Sequence, residues 1–356
     1  MDKNLLISSL FIIVPWLITL VINGLLLKFS QTLGIRNKND VTIRWSNTSK
    51  PSLGGISMYV SFLICVFLYL VINVQTNIFS DSHLIGLFIA YGLAFVMGLA
   101  DDAYNTKPLL KFSIQIVCGL IIAMSGSVIN LSSHYWLNAF LTVFWVIILM
   151  NSLNMLDNMD GITTTVVIFI LLSCLCCNLV FNVDSLSYWN YILIGLISSL
   201  IGFLRYNAPS AKIFMGDSGS QFLGLIAAFF SIKFLWNFDM SFQVPVWNKF
   251  YVVLICFTAP AIDSLSVVIN RLKKRQSPMV GGKDHTTHHL VYAGYSERQV
   301  WYVFIFISFM ASFLGIIMIY LVRNEMRYES LLLTPFFFIA FYFLYRNTQK
   351  YKQPDK

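Results

Sequence analysis

The sequence predicts an all-α integral membrane protein of ten to eleven transmembrane helices, built as a single polytopic domain over residues 1–356. Three observations predict this class. Of the 356 residues, 57% are hydrophobic and 11% are charged, whereas soluble domains carry about 25% charged residues. Apolar runs close to the length of about 20 residues that crosses a bilayer recur along the chain. The basic residues fall mainly in alternate loops between these runs.

The apolar runs define the elements in order. The first, from Leu5 to Leu27, is longer than the roughly 7–15 apolar residues of a signal peptide, and no A-x-A-like cleavage site follows it. It is therefore predicted to be the first span. The third, fourth and seventh runs are short, which leaves the count at ten to eleven. The candidate spans lie near 5–27, 53–74, 84–100, 109–126, 136–153, 164–182, 188–204, 219–236, 250–270, 300–322 and 331–345.

Charge predicts the orientation of these spans. Eleven spans place the two termini on opposite sides and sort the loops into two alternating sets. One set holds all but five of the 24 Lys and Arg residues, the exceptions being Lys3, Lys233, Lys249, Arg323 and Arg327. By the positive-inside rule this basic set is cytoplasmic. The N-terminus is then predicted outside and the C-terminus inside.

The first polar motif closes the third span. Asp101 and Asp102 are adjacent carboxylates at the edge of a low-dielectric medium, where uncompensated charge is costly. A bound cation would relieve that cost, and Lys107 and Lys111 follow closely enough to meet a phosphate. The alternative is a solvated loop start.

The second motif, NSLNMLDNMDGI, follows the fifth span. Asn151, Asn154, Asp157 and Asp160 recur at a spacing of three, which would bring them near one face of a helix. Carboxylate and amide oxygens are ligands that suit Mg²⁺ or Mn²⁺. The alternative is a polar helix cap and turn that ends at Gly161.

The third motif, NAPSAKIFMGDSGSQFLG, covers residues 207–224. The segment from Asp217 to Ser220 opens an apolar run, so its side chains are candidate helix N-caps. A helix N-terminus also favours phosphate, and Asn207 and Lys212 would add donors. The sequence leaves both interpretations open.

A basic segment, RLKKRQSPMVGGKDHTTHHL, ends in His285, His288 and His289. Three histidines suggest zinc, but no fourth ligand follows and the flanks are basic. Contacts with phosphate fit better, and anchoring to anionic lipid is the alternative. Asp263, inside the ninth span, is a functional candidate because intramembrane carboxylates are costly. Its alternative is a buried ion pair with Arg271.

Taken together, the motifs resemble the polyprenyl-phosphate N-acetylhexosamine-1-phosphate transferase family, whose superfamily includes phospho-N-acetylmuramoyl-pentapeptide transferase. The matching segments occur in the family's order. They are KPSLGG, DDAYN, NSLNMLDNMDGI, NAPSAKIFMGDSGS, PAIDSLSVVINR and the final His cluster. Each segment alone is weak, but the series is specific.

The resemblance implies a UDP-N-acetylhexosamine, foremost UDP-GlcNAc, and a polyprenyl phosphate such as undecaprenyl phosphate as substrates. UMP is the implied leaving product, and Mg²⁺ the implied cofactor, with Mn²⁺ as the alternative. The implied catalytic carboxylates are Asp101, Asp102, Asp157 and Asp217. The implied metal ligands are Asp102, Asn154, Asp157 and Asp217. The implied substrate-binding residues are Lys50, Lys111, Asp160, Asn207, Lys212, Phe214, His285, His288 and His289.

The same resemblance implies a bacterial inner-membrane enzyme of cell-envelope polysaccharide synthesis, with its active site at the cytoplasmic face. No nucleic-acid partner is expected, and a homodimer stays open. Two departures from the family pattern stand out: Asn158 replaces a glycine, and Thr286 stands where a histidine is expected. Three alternatives remain, namely the muramoyl-pentapeptide transferase, an ion-coupled transporter and a non-catalytic lipid-binding scaffold. Direct attack by the lipid phosphate and a covalent aspartyl intermediate are equally compatible with the sequence.

Overall fold

The protein is described from a computed structural model over residues 3–30, 50–72, 78–181, 187–238, 244–277 and 282–352. Its regular structure in these ranges is helical. The α-helices are α1 (Lys3–Ser30), α2 (Gly54–Ile72), α3 (Ser82–Tyr104), α4 (Pro108–Met124), α5 (Tyr135–Leu156), α6 (Ile162–Phe181), α7 (Tyr188–Asn207), α8 (Gly216–Ser231), α9 (Val246–Cys256), α10 (Thr258–Lys273), α11 (Thr286–Tyr292), α12 (Glu297–Arg323) and α13 (Pro335–Lys350). A π-helical turn, Ile232–Trp236, continues α8, and short 3₁₀ turns lie at Ile78–Ser80 and Glu329–Leu333.

The helices confirm the all-α integral membrane class. Within the described ranges, nine helices are long and apolar enough to cross a bilayer, counting α8 with its π-helical turn and α13 with the 3₁₀ turn before it. The bent pair α9–α10 brings the number to ten, and the 17-residue apolar helix α4 coincides with the remaining predicted span. Each predicted apolar run therefore corresponds to a helix or a helix pair.

The ninth predicted span, 250–270, is wrong as a single straight helix. α9 and α10 meet at an angle of 84°, with Phe257 between them. Pro260 explains the break, because proline has no N–H to donate to the carbonyl four residues earlier and its ring clashes with that carbonyl. Placed in the first turn of a new helix, the same residue is tolerated.

One end of the bundle gathers the motif-bearing helix ends, and we call it the site face. Here Asp102, near the end of α3, accepts a hydrogen bond from the backbone N–H of Asp217 at the start of α8. At the opposite end of the bundle, the loop between α4 and α5 meets the segment after the π-helical turn. The backbone N–H of Asn130 donates to Asn237 Oδ1 there at 2.9 Å. The loops predicted to share one side of the membrane therefore do meet.

The bundle is organised around α8. This helix is almost entirely buried, whereas only 22% of the apolar window of α1, and of the span that contains α13, is buried, as expected of lipid-facing helices. Its neighbours approach closely through small residues: a Cβ added to Gly98 of α3 would lie 2.4 Å from Ser218 Cα. Close backbone contact of this kind is how membrane helices gain packing energy without a hydrophobic drive between them. It brings the ends of α2, α3 and α8 together at the site face.

Candidate active site

An ammonium group lies at the centre of the candidate site. Lys111 Nζ on α4 donates to Asp101 Oδ2 on α3 at 3.0 Å, to Asn154 Oδ1 on α5 at 3.2 Å and to Asp217 Oδ1 on α8 at 3.3 Å. Four helices thus contribute to one cluster, and Lys111 has an acceptor for each of its three N–H groups. The structure brings together four residues that the sequence motifs had placed in three separate segments.

With both of its carboxylates ionised, the cluster carries a net negative charge. Asp101 and Asp217 contribute two carboxylates, against the single positive charge of Lys111. The side chains are only partly exposed, at 10% for Asp101 and 17% for Lys111, so the surplus charge is poorly screened. Hard oxygen donors with a surplus negative charge favour a divalent cation such as Mg²⁺. In the described residues, no three His, Cys, Asp or Glu side chains converge on one point, so a metal here would need the Asn154 oxygen, substrate oxygens or water.

Asp102 has a different role from its neighbour. Its two carboxylate oxygens accept the backbone N–H groups of Asp217 and Ser218, at 3.0 and 2.9 Å. Asp102 therefore caps the N-terminus of α8 from another helix. The interpretation that side chains of the 217–220 segment cap this helix is wrong, since all four residues lie inside the helix, which begins at Gly216. Two of the amides considered for phosphate already have an acceptor. Gly216, with φ of +75°, makes this approach possible, because a Cβ there would lie 2.7 Å from an Asp102 oxygen.

The motif after the fifth span is part helix and part turn. Asn151 and Asn154 lie on α5, which ends at Leu156. Asp157 is the C-cap, and its ψ of 46° takes the chain out of the helix. The prediction that all four polar residues share one helical face is therefore wrong for Asp157 and Asp160. Gly161, with φ of +76°, completes the turn, as the alternative interpretation held.

Asp160 turns towards a second group of predicted binding residues. Its Oδ2 accepts the backbone N–H of Ala211 at 2.8 Å and lies 3.7 Å from Lys50 Nζ. The same ammonium is 5.2 Å from the centre of the Phe214 ring. Lys50, Asp160 and Phe214 therefore form a polar and aromatic surface beside the 207–216 loop.

Two further predicted residues in this loop differ in exposure. Asn207 is buried. Its Oδ1 accepts a hydrogen bond from Thr164 Oγ1 at 2.7 Å, and its Nδ2 donates to the carbonyl of Ile213 at 3.2 Å. It shapes the loop from inside. Lys212 is exposed, and its backbone N–H donates to the carbonyl of Tyr206 at 2.7 Å. Lys212 is thus available to solvent rather than to the Lys111 cluster.

Asp263 holds the start of the histidine segment. Its Oδ2 is 2.8 Å from His285 Nδ1, and its Oδ1 accepts from the Thr286 N–H at 2.9 Å and the Thr286 hydroxyl at 2.6 Å. The proposed ion pair between Asp263 and Arg271 is wrong: Arg271 instead donates two hydrogen bonds to Asp284. Burial opposes ionisation of Asp284, but these bonds from Arg271 hold its pKa below the ordinary value. Thr286, where the family pattern has a histidine, thus donates two hydrogen bonds to Asp263.

The remaining histidines lie on α11. Burial and the nearby His285 lower the pKa of His288 to about 3, so this ring is neutral near pH 7. Thr287 Oγ1 donates to Asn158 Oδ1 at 2.6 Å, which ties α11 to the turn after α5. The Asn158 that departs from the family pattern is therefore paired with a threonine of the histidine segment. Sequence motifs 129 positions apart are joined at the site face.

A layer of side-chain amides lies one helical turn deeper than the ammonium cluster. Gln115 follows Lys111 by four residues, Asn151 precedes Asn154 by three, and Gln221 follows Asp217 by four. Gln115 Nε2 donates to Gln221 Oε1 at 3.0 Å, and Asn151 Nδ2 donates to Gln115 Oε1 at 2.7 Å. The amides link α4, α5 and α8 and so set the rotation of the helices that carry the cluster.

Two further side chains hold the cluster. Thr106, which had no signal strong enough to single it out, donates its N–H and hydroxyl to Asp101 Oδ1, at 2.8 and 2.6 Å. Ser220, considered from the sequence as a helix cap, instead accepts from Asn154 through Oγ at 2.8 Å. Gln115 and Gln221 did carry a sequence signal, because each is a polar residue in an apolar run, four positions after a predicted site residue.

Known proteins are similar to this chain in sequence. The family model of glycosyl transferase family 4 matches residues 84–235. The chain is 26% identical, over 75% of its length and 73% of the relative, to the probable undecaprenyl-phosphate N-acetylglucosaminyl 1-phosphate transferase of Bacillus subtilis. It is also 26% identical to the decaprenyl-phosphate N-acetylglucosaminephosphotransferase of Mycolicibacterium smegmatis, over 70% of the chain and 67% of that relative. A phospho-N-acetylmuramoyl-pentapeptide-transferase of Streptococcus agalactiae is 26% identical over 65% of the chain and 74% of its own length.

Proposed function

We propose that the chain belongs to glycosyl transferase family 4, whose model matches residues 84–235, and that it transfers N-acetylglucosamine 1-phosphate from UDP-GlcNAc to undecaprenyl phosphate, releasing UMP. The relatives named for N-acetylglucosamine transfer support this choice of sugar. The observation that carries the proposal is the Lys111 ammonium, held by Asp101, Asn154 and Asp217 at one face of an apolar bundle. Such a place is open to a nucleotide from water and to a lipid phosphate from the bilayer.

The reaction follows from charge. An oxygen of the lipid phosphate attacks the β-phosphorus of the UDP-sugar, a new P–O bond forms, and the bond to the bridging oxygen breaks with its electron pair going to UMP. Phosphoryl transfer needs mainly positioning and neutralisation of the gathered negative charge. Lys111 is suited to this task, because its flexible side chain can exchange a carboxylate for a phosphate oxygen. Asp101, released from Lys111 in that exchange, orients the lipid phosphate or accepts its proton.

Mg²⁺ belongs to this proposal as cofactor, with Mn²⁺ as the alternative. The oxygens of Asp101, Asn154 and Asp217 already converge on one cationic group, and they are the donor type that Mg²⁺ prefers. When bound, the metal would neutralise diphosphate oxygens and stabilise the leaving UMP. Asp102 would act on the same centre by holding the α8 turn that carries Asp217.

The test is UMP release by the purified protein with undecaprenyl phosphate and a panel of UDP-sugars, with and without Mg²⁺. UDP-GlcNAc is expected to be the substrate, and Lys111→Met to lower its turnover by about a hundredfold or more, the effect of removing one transition-state electrostatic contact. Lys28→Met is the control, since Lys28 is an exposed lysine in the last turn of α1 and is not among the candidate site residues. Turnover of UDP-MurNAc-pentapeptide alone would favour the muramoyl reaction. No turnover of any sugar would overturn the proposal.

We also propose that the site face is cytoplasmic, on the strength of the charge asymmetry between the loop sets. Glu297 and Glu325 are exposed positions at opposite ends of α12, and the six native cysteines are buried or half-buried. In intact cells, a membrane-impermeant thiol reagent should label Glu325→Cys but not Glu297→Cys. The reverse labelling would invert the orientation.

A further inference from the structure

The chain beyond α13 reaches back to the histidine segment. The carbonyl of Tyr351, the residue after α13, is hydrogen-bonded to His289 Nδ1. A carbonyl only accepts, so Nδ1 must carry the proton. Nε2 is then an acceptor in the neutral ring and becomes a donor on protonation. The Tyr292 ring lies perpendicular to the same ring, with centroids 5.5 Å apart, so His289 is restrained by a hydrogen bond and by an aromatic contact.

The carbonyl is placed by an anchored helix end. Asn270 of α10, which is 7% exposed, donates its Nδ2 to Thr348 Oγ1 at 2.9 Å and accepts from Gln349 Nε2 at 2.7 Å. These bonds fix the last turn of α13 against α10, two residues before Tyr351. The position of the carbonyl therefore depends on paired side chains.

Resting on the proposed function, we propose that the Tyr351 backbone carbonyl is a positioning group: by accepting Nδ1–H it holds His289 in the orientation in which the protonated ring donates Nε2–H to a phosphate of the UDP-sugar. The contact uses the backbone, so the residue type at 351 matters little while the presence of the peptide carbonyl matters. The Tyr351 peptide group, directly after α13, then contributes to the site through His289.

Chain length tests the idea. A chain that ends at Lys350 lacks the carbonyl, whereas a chain that ends at Lys352 keeps it as a normal peptide group. Losing one hydrogen bond of ordinary net strength corresponds to a change of about fivefold. We expect the chain ending at Lys350 to show a KM for UDP-GlcNAc raised about fivefold with a smaller change in kcat. The chain ending at Lys352 and the variant Tyr351→Ala should match the full chain.

A double-mutant comparison separates positioning from general loosening of the fold. In a His289→Ala background, ending the chain at Lys350 should raise KM no further, because the carbonyl acts only through that ring. Asn270→Ala, which keeps Tyr351 but releases the last turn of α13, should raise KM in the native background and likewise add nothing to His289→Ala. Thermal unfolding midpoints of the two shortened chains should agree.

Two outcomes overturn the inference: equal KM values for the chains ending at Lys350 and Lys352, or full additivity with His289→Ala. Calorimetric titration of the same variants with UDP-GlcNAc reports affinity without turnover. If the full chain binds UDP-GlcNAc but releases no UMP, the proposed reaction fails. The positioning role is then still decided by the affinities of the full chain, the chains ending at Lys350 and Lys352, and the Tyr351→Ala variant. If the full chain neither binds nor turns over UDP-GlcNAc, both proposals are overturned.

Discussion

Replacing Asp102 by alanine should destabilise the protein more than any other single carboxylate change at the centre of the site. The substitution removes both acceptors of the Asp217 and Ser218 amides, and Ser218 is fully buried. Each hydrogen bond to a charged partner contributes about 1.5–3 kcal/mol, so the two together give about 3–6 kcal/mol. Removing a buried carboxylate returns part of its desolvation cost, which favours the lower end, about 3 kcal/mol. At about 2 °C per kcal/mol, the unfolding midpoint should fall by roughly 6 °C.

The assay is thermal unfolding of the detergent-solubilised protein, compared with UMP release at a temperature where all variants are folded. Asp217→Ala is the matched control, because its backbone N–H still reaches Asp102 while its carboxylate leaves Lys111. It should shift the midpoint by less than about 2 °C, since Lys111 keeps Asp101 and Asn154 as partners, and still abolish most UMP release. An Asp102→Ala variant that unfolds within 1 °C of the parent would refute the capping role.

Three further predictions use neighbouring features. Gly98→Ala should destabilise by about 1–3 kcal/mol or more, because its Cβ would meet the Ser218 backbone at 2.4 Å, whereas Gly92→Ala on the same helix has 4.0 Å of room and should not; unfolding midpoints compare them. Thr287→Val, which loses a 2.6 Å bond to the turn after α5, should lower kcat/KM several-fold with little loss of thermal stability. The pKa of His288 is lowered to about 3 in the folded protein, so as the pH falls the unfolded chain takes up this proton at a higher pH than the folded one. Stability should therefore fall as the pH drops below about 6.5. The His288→Gln variant should lose less stability than the parent between pH 7 and pH 5.

The spans and the shared site face could be predicted because both are properties of short segments. About 20 apolar residues suffice to define a span, and the distribution of lysine and arginine sorts the loops. The bend at Phe257 could not be predicted in the same way. Pro260 breaks hydrogen bonding locally, but membrane helices often tolerate proline when neighbours satisfy the freed groups, so its effect depends on the surrounding helices.

The site motifs were also visible in the sequence, whereas the partners of individual side chains were not. Asp101 and Asp102 are chemically identical and adjacent, yet a helix turns by about 100° from one residue to the next. One carboxylate therefore meets Lys111 and the other caps α8. The partner of Asp263 likewise depends on the tertiary structure. Asp263 pairs with His285 of the histidine segment and not with Arg271 of its own helix.

The amide layer beneath Lys111 has a consequence for the permeability of the membrane. One further turn down the same three helices lie Cys118, Ile147 and Leu225, so apolar side chains replace the amides about two turns, roughly 11 Å, from the cluster. That is about a third of the hydrocarbon thickness. A charged centre open to water at one surface could otherwise conduct protons or ions down the membrane potential. The short polar depth lets the protein hold phosphate chemistry at the bilayer edge while the barrier to ions stays intact.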